Sequence, residues 1–268
     1  MEAPQKKTAL GGAISMHIEI QGNYMKVHGM PAPAPEHHQK RGKITSFSKK
    51  SRKRLLDIIA RLKEGSNALF CTLTYGQRWP SEAIAYTHLK AFVRRVNAKF
   101  PRAGVVWRKE YQKRGAIHFH LIIFNVNYID KNAVARAWAD IIGDDFCDNS
   151  GDGPRQPFTR IEKLQNKKKA MLYCAKYVAK VPGVGFNDQP YRNTGRMWGV
   201  FNRKCMDFAT LVILPIKTLA AFDLLATAAK QTCKWLRFFR WYQSFSLYCD
   251  NMNSWIVLWS DGERAYGN

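Results

Sequence analysis

Residues 115–124 read GAIHFHLIIF, with His118 and His120 set one residue apart in an otherwise oily run. Successive side chains of a strand point to opposite faces, so the two histidines share one face. Ile117, Phe119 and Leu121 share the other, which reads as the core face. The imidazoles are thus presented side by side, either to each other as a hydrogen-bonded pair or to a common ligand. Imidazole is the commonest metal-binding side chain.

The preceding stretch, GVVWRKEYQ (104–112), also reads as a strand, and the short turn around Lys113, Arg114 and Gly115 makes the two a hairpin. In an antiparallel hairpin, residues equidistant from the turn lie side by side. Glu110 precedes His118 by eight residues and so comes close to the histidine pair, on the same face if the register allows. Two imidazoles and one carboxylate leave coordination positions open, which suits a divalent ion that also grips a phosphate oxygen. The plainer alternative for Glu110 is a salt bridge with Arg108 or Lys109.

Outward from the hairpin, ALFCTLTY (68–75) reads as a strand, and SEAIAYTHLKAFVRRVNAKF (81–100) as a helix with Ser81 at its N-cap. KKSRKRLLDIIARLKEG (49–65) carries Leu55, Ile58, Ile59 and Leu62 at helical spacing, with Gly65 as the stop. KNAVARAWADII (131–142) reads as a helix, DDFCDNSGDGP (144–154) as a polar loop and LQNKKKAMLYCAKYVAK (164–180) as a basic helix. The expected fold class is α+β, an antiparallel β-sheet flanked by helices, spanning residues 45–205. Residues 1–44, which include the proline-punctuated PAPAPEHHQKRGK, read as weakly ordered apart from a short strand near NYMKVHG (23–29). Residues 206–268 read as a small, mostly helical extension: helices at TLAAFDLLATAAK and CKWLRFFRWYQSF, then a strand and turn at SWIVLWSDGE.

Charge narrows the class of partner. The chain of 268 residues carries 43 Lys and Arg against 20 Asp and Glu, a formal +23. An excess of that size favours a polyanion, nucleic acid above all. Five of the six residues from Lys49 to Arg54 are basic, which makes Lys49, Lys50, Arg52, Lys53 and Arg54 candidates for phosphate contacts, together with Lys167, Lys168 and Lys169. The bland reading of each is a solvated helix face. Trp198 could stack an unpaired base or pack a core. Six scattered cysteines without a C-x-x-C pair form neither a disulfide framework nor a zinc ribbon. The N-terminus lacks the apolar core of a secretory signal, and the most apolar stretch (208–229) is broken by Pro215, Lys217 and Asp223. A cytoplasmic protein without a membrane span is expected.

MLYCAKYVAK (171–180) supplies a second kind of chemistry. Tyr173 and Tyr177 are four apart, on one helix face, and Lys176 and Lys180 repeat that spacing beside them. A phenol with a pKa near 10 is a poor nucleophile at neutral pH. A nearby ammonium favours the phenolate and can protonate a departing oxygen.

FCTLTY, GAIHFHLI and YCAKYVAK, in that order, resemble the three motifs of the HUH superfamily, and more narrowly the rolling-circle replication initiators (Rep) of bacterial plasmids and single-stranded DNA phages. The resemblance implies an HUH endonuclease, RRM-like core. It implies Mg²⁺ or Mn²⁺ held by Glu110, His118 and His120, and a 5′-phosphotyrosyl link made by Tyr173, with Tyr177 the second choice and Lys176 and Lys180 beside them. It further implies nicking and joining of a single-stranded or hairpin origin. Two-tyrosine members alternate both residues; in single-tyrosine members the counterpart of Tyr177 only packs. No G-x-x-x-x-G-K-[ST] loop occurs in the chain, so a host helicase is implied beside a host DNA polymerase. The rivals are a single-tyrosine transposase or relaxase of the same superfamily, and a non-enzymatic, basic nucleic-acid-binding regulator.

Overall fold

The computed structural model describes residues 16–29, 44, 47–63, 65, 67–76, 79–112, 115–143, 159–164, 195–232, 245–248 and 257–260. In chain order these form β1 (His17–Gln21), β2 (Tyr24–His28), α1 (Lys49–Ala60), β3 (Ala68–Thr74), α2 (Glu82–Lys99), β4 (Gly104–Tyr111) and β5 (Ile117–Phe124). Then follow α3 (Lys131–Ile142), β6 (Thr159–Leu164), β7 (Trp198–Phe201), β8 (Val212–Pro215), α4 (Leu219–Thr232), β9 (Phe245–Tyr248) and β10 (Val257–Ser260). The fold is α+β, with two antiparallel sheets and four helices among the described residues. The chain divides into two units, Gln39–Ala209 and the pair of segments Met1–His38 and Thr210–Asn268.

In the larger unit the sheet order is β6-β3-β5-β4-β7. Alternation along the three central strands sends Leu69, Cys71 and Leu73, Phe119, Leu121 and Ile123, and Val105 and Trp107 to one face. There they form one core with Leu89, Phe92, Val93 and Val96 of α2 and Val134, Trp138 and Ile142 of α3. The Trp138 indole N–H donates to the Thr74 carbonyl (2.8 Å), tying α3 to the end of β3. Ser81 caps α2 by position, its carbonyl accepting from Ala85 N–H (2.9 Å), without a side-chain bond. Asp130 caps α3 through Oδ2 and the Ala133 N–H (3.0 Å), and Gly143 ends it at φ +72°, a conformation open to glycine at low cost.

Helix α1 stops at Ala60, short of the Gly65 expected from periodicity. Leu62 instead pairs as a β-bridge with Phe208, and Lys63 N–H donates to the Asp207 carbonyl (2.8 Å). Two further strands, β6 and β7, edge the sheet where none was expected.

In the smaller unit the order is β10-β9-β2-β1-β8. Residues 17–28, expected within a weakly ordered segment apart from one short strand, form a full hairpin whose outer partners come from the other end of the chain. Helix α4 matches TLAAFDLLATAAK, and β10 falls within SWIVLWSDGE. Strands β8 and β9 stand beside it in an extension expected to be mostly helical. Among the described residues, no helix is long and apolar enough to cross a membrane. The turn residues Lys113 and Arg114, the loop 144–154, the basic helix 165–180 and the helix read from CKWLRFFRWYQSF up to residue 244 lie outside the described residues.

Candidate metal centre

Strand pairing sets the site. Across β4 and β5, Glu110 lies opposite His118 and Arg108 opposite His120. On the other side of β5, Thr74 lies opposite His118 and Thr72 opposite His120. Opposed residues point to the same face, so two rows form: Thr74, His118, Glu110 and Thr72, His120, Arg108. Arg160 of β6 and Trp198 of β7 extend the second row at its ends. The register therefore puts Glu110 on the histidine face.

The side chains meet. His120 Nε2 donates to Glu110 Oε2 at 3.0 Å, and the two imidazole rings stand edge to face with centroids 4.4 Å apart. Glu110 also pairs with Arg108, whose guanidinium lies over the Phe47 ring at 4.8 Å. The salt bridge considered for Glu110 thus exists alongside the imidazole contact, while Lys109 points to the opposite face and is buried there. The Phe70 ring stacks on His120 at 5.7 Å. Burial alone would push the Glu110 carboxyl up. The hydrogen bond from His120 and the positive charge of Arg108 and the imidazoles outweigh it and hold the carboxyl below its ordinary value of 4.5. It stays an acceptor for a cation at neutral pH.

His118 is oriented by Thr74, whose Oγ1 lies 2.6 Å from Nδ1. With Nδ1–H donating to that hydroxyl, the tautomer places the lone pair on Nε2, the arrangement usual for a ligating histidine. The 3.0 Å between His120 Nε2 and Glu110 Oε2 matches the spacing of neighbouring ligands on an octahedral ion with bonds of about 2.1 Å. By residue type, face and orientation, Glu110, His118 and His120 fit a divalent cation; in this structure, with His118 drawn toward Thr74, the three do not close to within 4.8 Å of one another.

The basic candidates on α1 divide. Lys50 and Arg54 are exposed, Arg52 is buried, and Lys53 reaches Asp57 Oδ2 at 3.4 Å. Lys49 opens the helix, whose Ser48 cap accepts from the Ser51 N–H at 3.2 Å. Tyr173, Lys176, Tyr177, Lys180, Lys167, Lys168 and Lys169 lie outside the described residues. Cys71 and Cys205 are free thiols, and burial pushes Cys71 up to about 12, an inert core group. Thr74, Phe47 and Phe70 gained no firm role from sequence. For Thr74 the signal was there: in FCTLTY it alternates with the apolar residues, which puts it on the polar face of β3.

No curated protein matches the chain. Residues 68–182, from β3 through both histidines to the tyrosine motif, match the family model for the replication-associated protein ORF2, and that likeness supports a replication initiator.

Proposed function

We propose that the protein initiates rolling-circle replication as an HUH endonuclease, nicking and rejoining single-stranded DNA through a 5′-phosphotyrosine. The observation that carries this reading is the cross-strand meeting of Glu110, His118 and His120 on one sheet face, within a segment similar to a replication-associated family. Glu110, His118 and His120 would hold Mg²⁺ or Mn²⁺. Such an ion, when bound, supplies charge that polarises the scissile phosphate.

The chain's own residues do the rest. Exposed Lys50 and Arg54 meet the phosphates of a single-stranded or hairpin origin. The Tyr173 phenol gives up its proton and its oxygen attacks phosphorus. The Oη–P bond forms as the P–O3′ bond breaks, and the freed 3′-oxygen takes a proton from Lys176. The 3′-hydroxyl then primes a host polymerase behind a host helicase. Tyr177 or the released hydroxyl closes the finished circle by the reverse exchange. Arg108 keeps Glu110 ionised before the ion arrives.

The test is a denaturing gel of the protein with Mn²⁺ and labelled oligonucleotides tiling the cognate origin strand. A covalent adduct is expected with the wild type and lost in H118A, whose DNA binding in EDTA stays unchanged. Equal adduct from H118A would defeat the reading.

A further inference from the structure

The smaller unit carries a second set of two histidines and a glutamate, arranged across a hairpin as the first is. In the β1–β2 pair, His17 lies opposite His28, and Glu19 follows His17 by two residues on the same face. One ligand atom from each comes within 4.8 Å of the other two. The imidazole rings stack at 4.2 Å, nearly parallel at 12°. Two imidazolium rings that close would repel, so the stack favours neutral imidazole, the ligating form. Each side chain is about a quarter exposed, at 23% to 26%.

The spacings decide what the cluster is built for. His28 Nε2 stands 3.5 Å from Glu19 Oε2, and His17 Nε2 stands 3.8 Å from Glu19 Oε1. A charge-assisted hydrogen bond would close to roughly 2.7–2.9 Å. Two donors on a tetrahedral ion with bonds of about 2.1 Å lie about 3.4 Å apart. His28 Nε2 is moreover sealed from solvent and makes no well-formed hydrogen bond among the described residues. The trio is spread as ligands are spread, more widely than hydrogen-bonded partners.

We propose that His17, Glu19 and His28 form a zinc site, separate from the β4–β5 centre. Two imidazoles and one carboxylate are a familiar zinc donor set, with water in the fourth position. Imidazole-rich sites favour Zn²⁺ over Mg²⁺, whereas oxygen and water ligands favour the latter. Lys26, opposite Glu19 on β2, is the cation that the arriving ion outcompetes for the carboxylate. The ion bridges the two strands on which β8 and β9 build, so it staples the hairpin at the middle of its sheet.

The test uses the full chain carrying H118A and H120A, which removes the first centre, titrated with Co²⁺ as a visible stand-in for zinc. One equivalent is expected to bind with tetrahedral absorption and to be displaced by Zn²⁺. Adding His17→Ala and His28→Ala should abolish uptake. Glu19→Gln, which keeps the size of the side chain, should weaken binding at least tenfold and remove the several-degree rise in melting temperature that Zn²⁺ gives the parent. His37→Ala with His38→Ala should change nothing. The site is refuted if the parent takes up no ion, if uptake survives loss of His17 and His28, or if it disappears with His37 and His38.

Discussion

Glu110 owes its position to a register and its charge to its neighbours: β4 sets it opposite His118, while His120 and Arg108 keep it ionised despite burial. Thr74 does the complementary work by fixing the ring of His118. Thr74→Val keeps the shape and loses the hydroxyl, so Mn²⁺ affinity should fall about 10- to 100-fold. Isothermal titration reads that loss, and metal-free DNA binding should not move. One strand position along, Lys109 is 3% exposed, and burial, opposed by the charge of Glu82, lowers its pKa from 10.5 to about 8. A lysine lowered in the folded state destabilises it wherever both states are protonated, below about pH 8, and the penalty fades as pH rises toward the unfolded value of 10.5. Lys109→Met should therefore raise stability at pH 7 by about 3 kcal/mol, and the gain should shrink by pH 10. Urea unfolding of both proteins at the two pH values checks the sign.

At the scale of elements, the sequence showed what local pattern could carry. Alternation in GAIHFHLIIF and ALFCTLTY and the 3.6-residue period of residues 131–142 match β5, β3 and α3. The Glu110–histidine pairing followed from turn arithmetic alone. The edge strands β6 and β7 escaped because they are short, and TRIEKL is too polar to show an apolar face. β1 and β8 escaped for another reason: they pair with each other across most of the chain, and nothing local announces a partner that distant. Gly199 of β7 is a case where packing explains the residue. It lies opposite Trp107, and a Cβ there would stand 2.9 Å from the indole Nε1. Gly199→Ala should cost about 1–3 kcal/mol by overpacking the edge against the core tryptophan, measured as a lower urea midpoint.

Over the whole molecule, a net charge of +23 belongs with a chain that works along a phosphate backbone. If Lys50 and Arg54 each neutralise one phosphate, the K50A/R54A pair should reduce the slope of log K against log salt by about 1.4 on single strands, with little dependence on sequence. Fluorescence anisotropy over a salt series measures it, and an unchanged slope would place the contacts elsewhere. The central claim is that a metal held by Glu110, His118 and His120 and a phenol from the tyrosine motif act on one phosphate. The most direct measurement is peptide mass spectrometry of the protein after reaction with Mn²⁺ and an origin oligonucleotide. The expected result is a nucleotide joined through its 5′-phosphate to Tyr173, lost in Glu110→Ala. A nucleotide carried on a residue outside YCAKYVAK, or an adduct indifferent to Glu110, would contradict it.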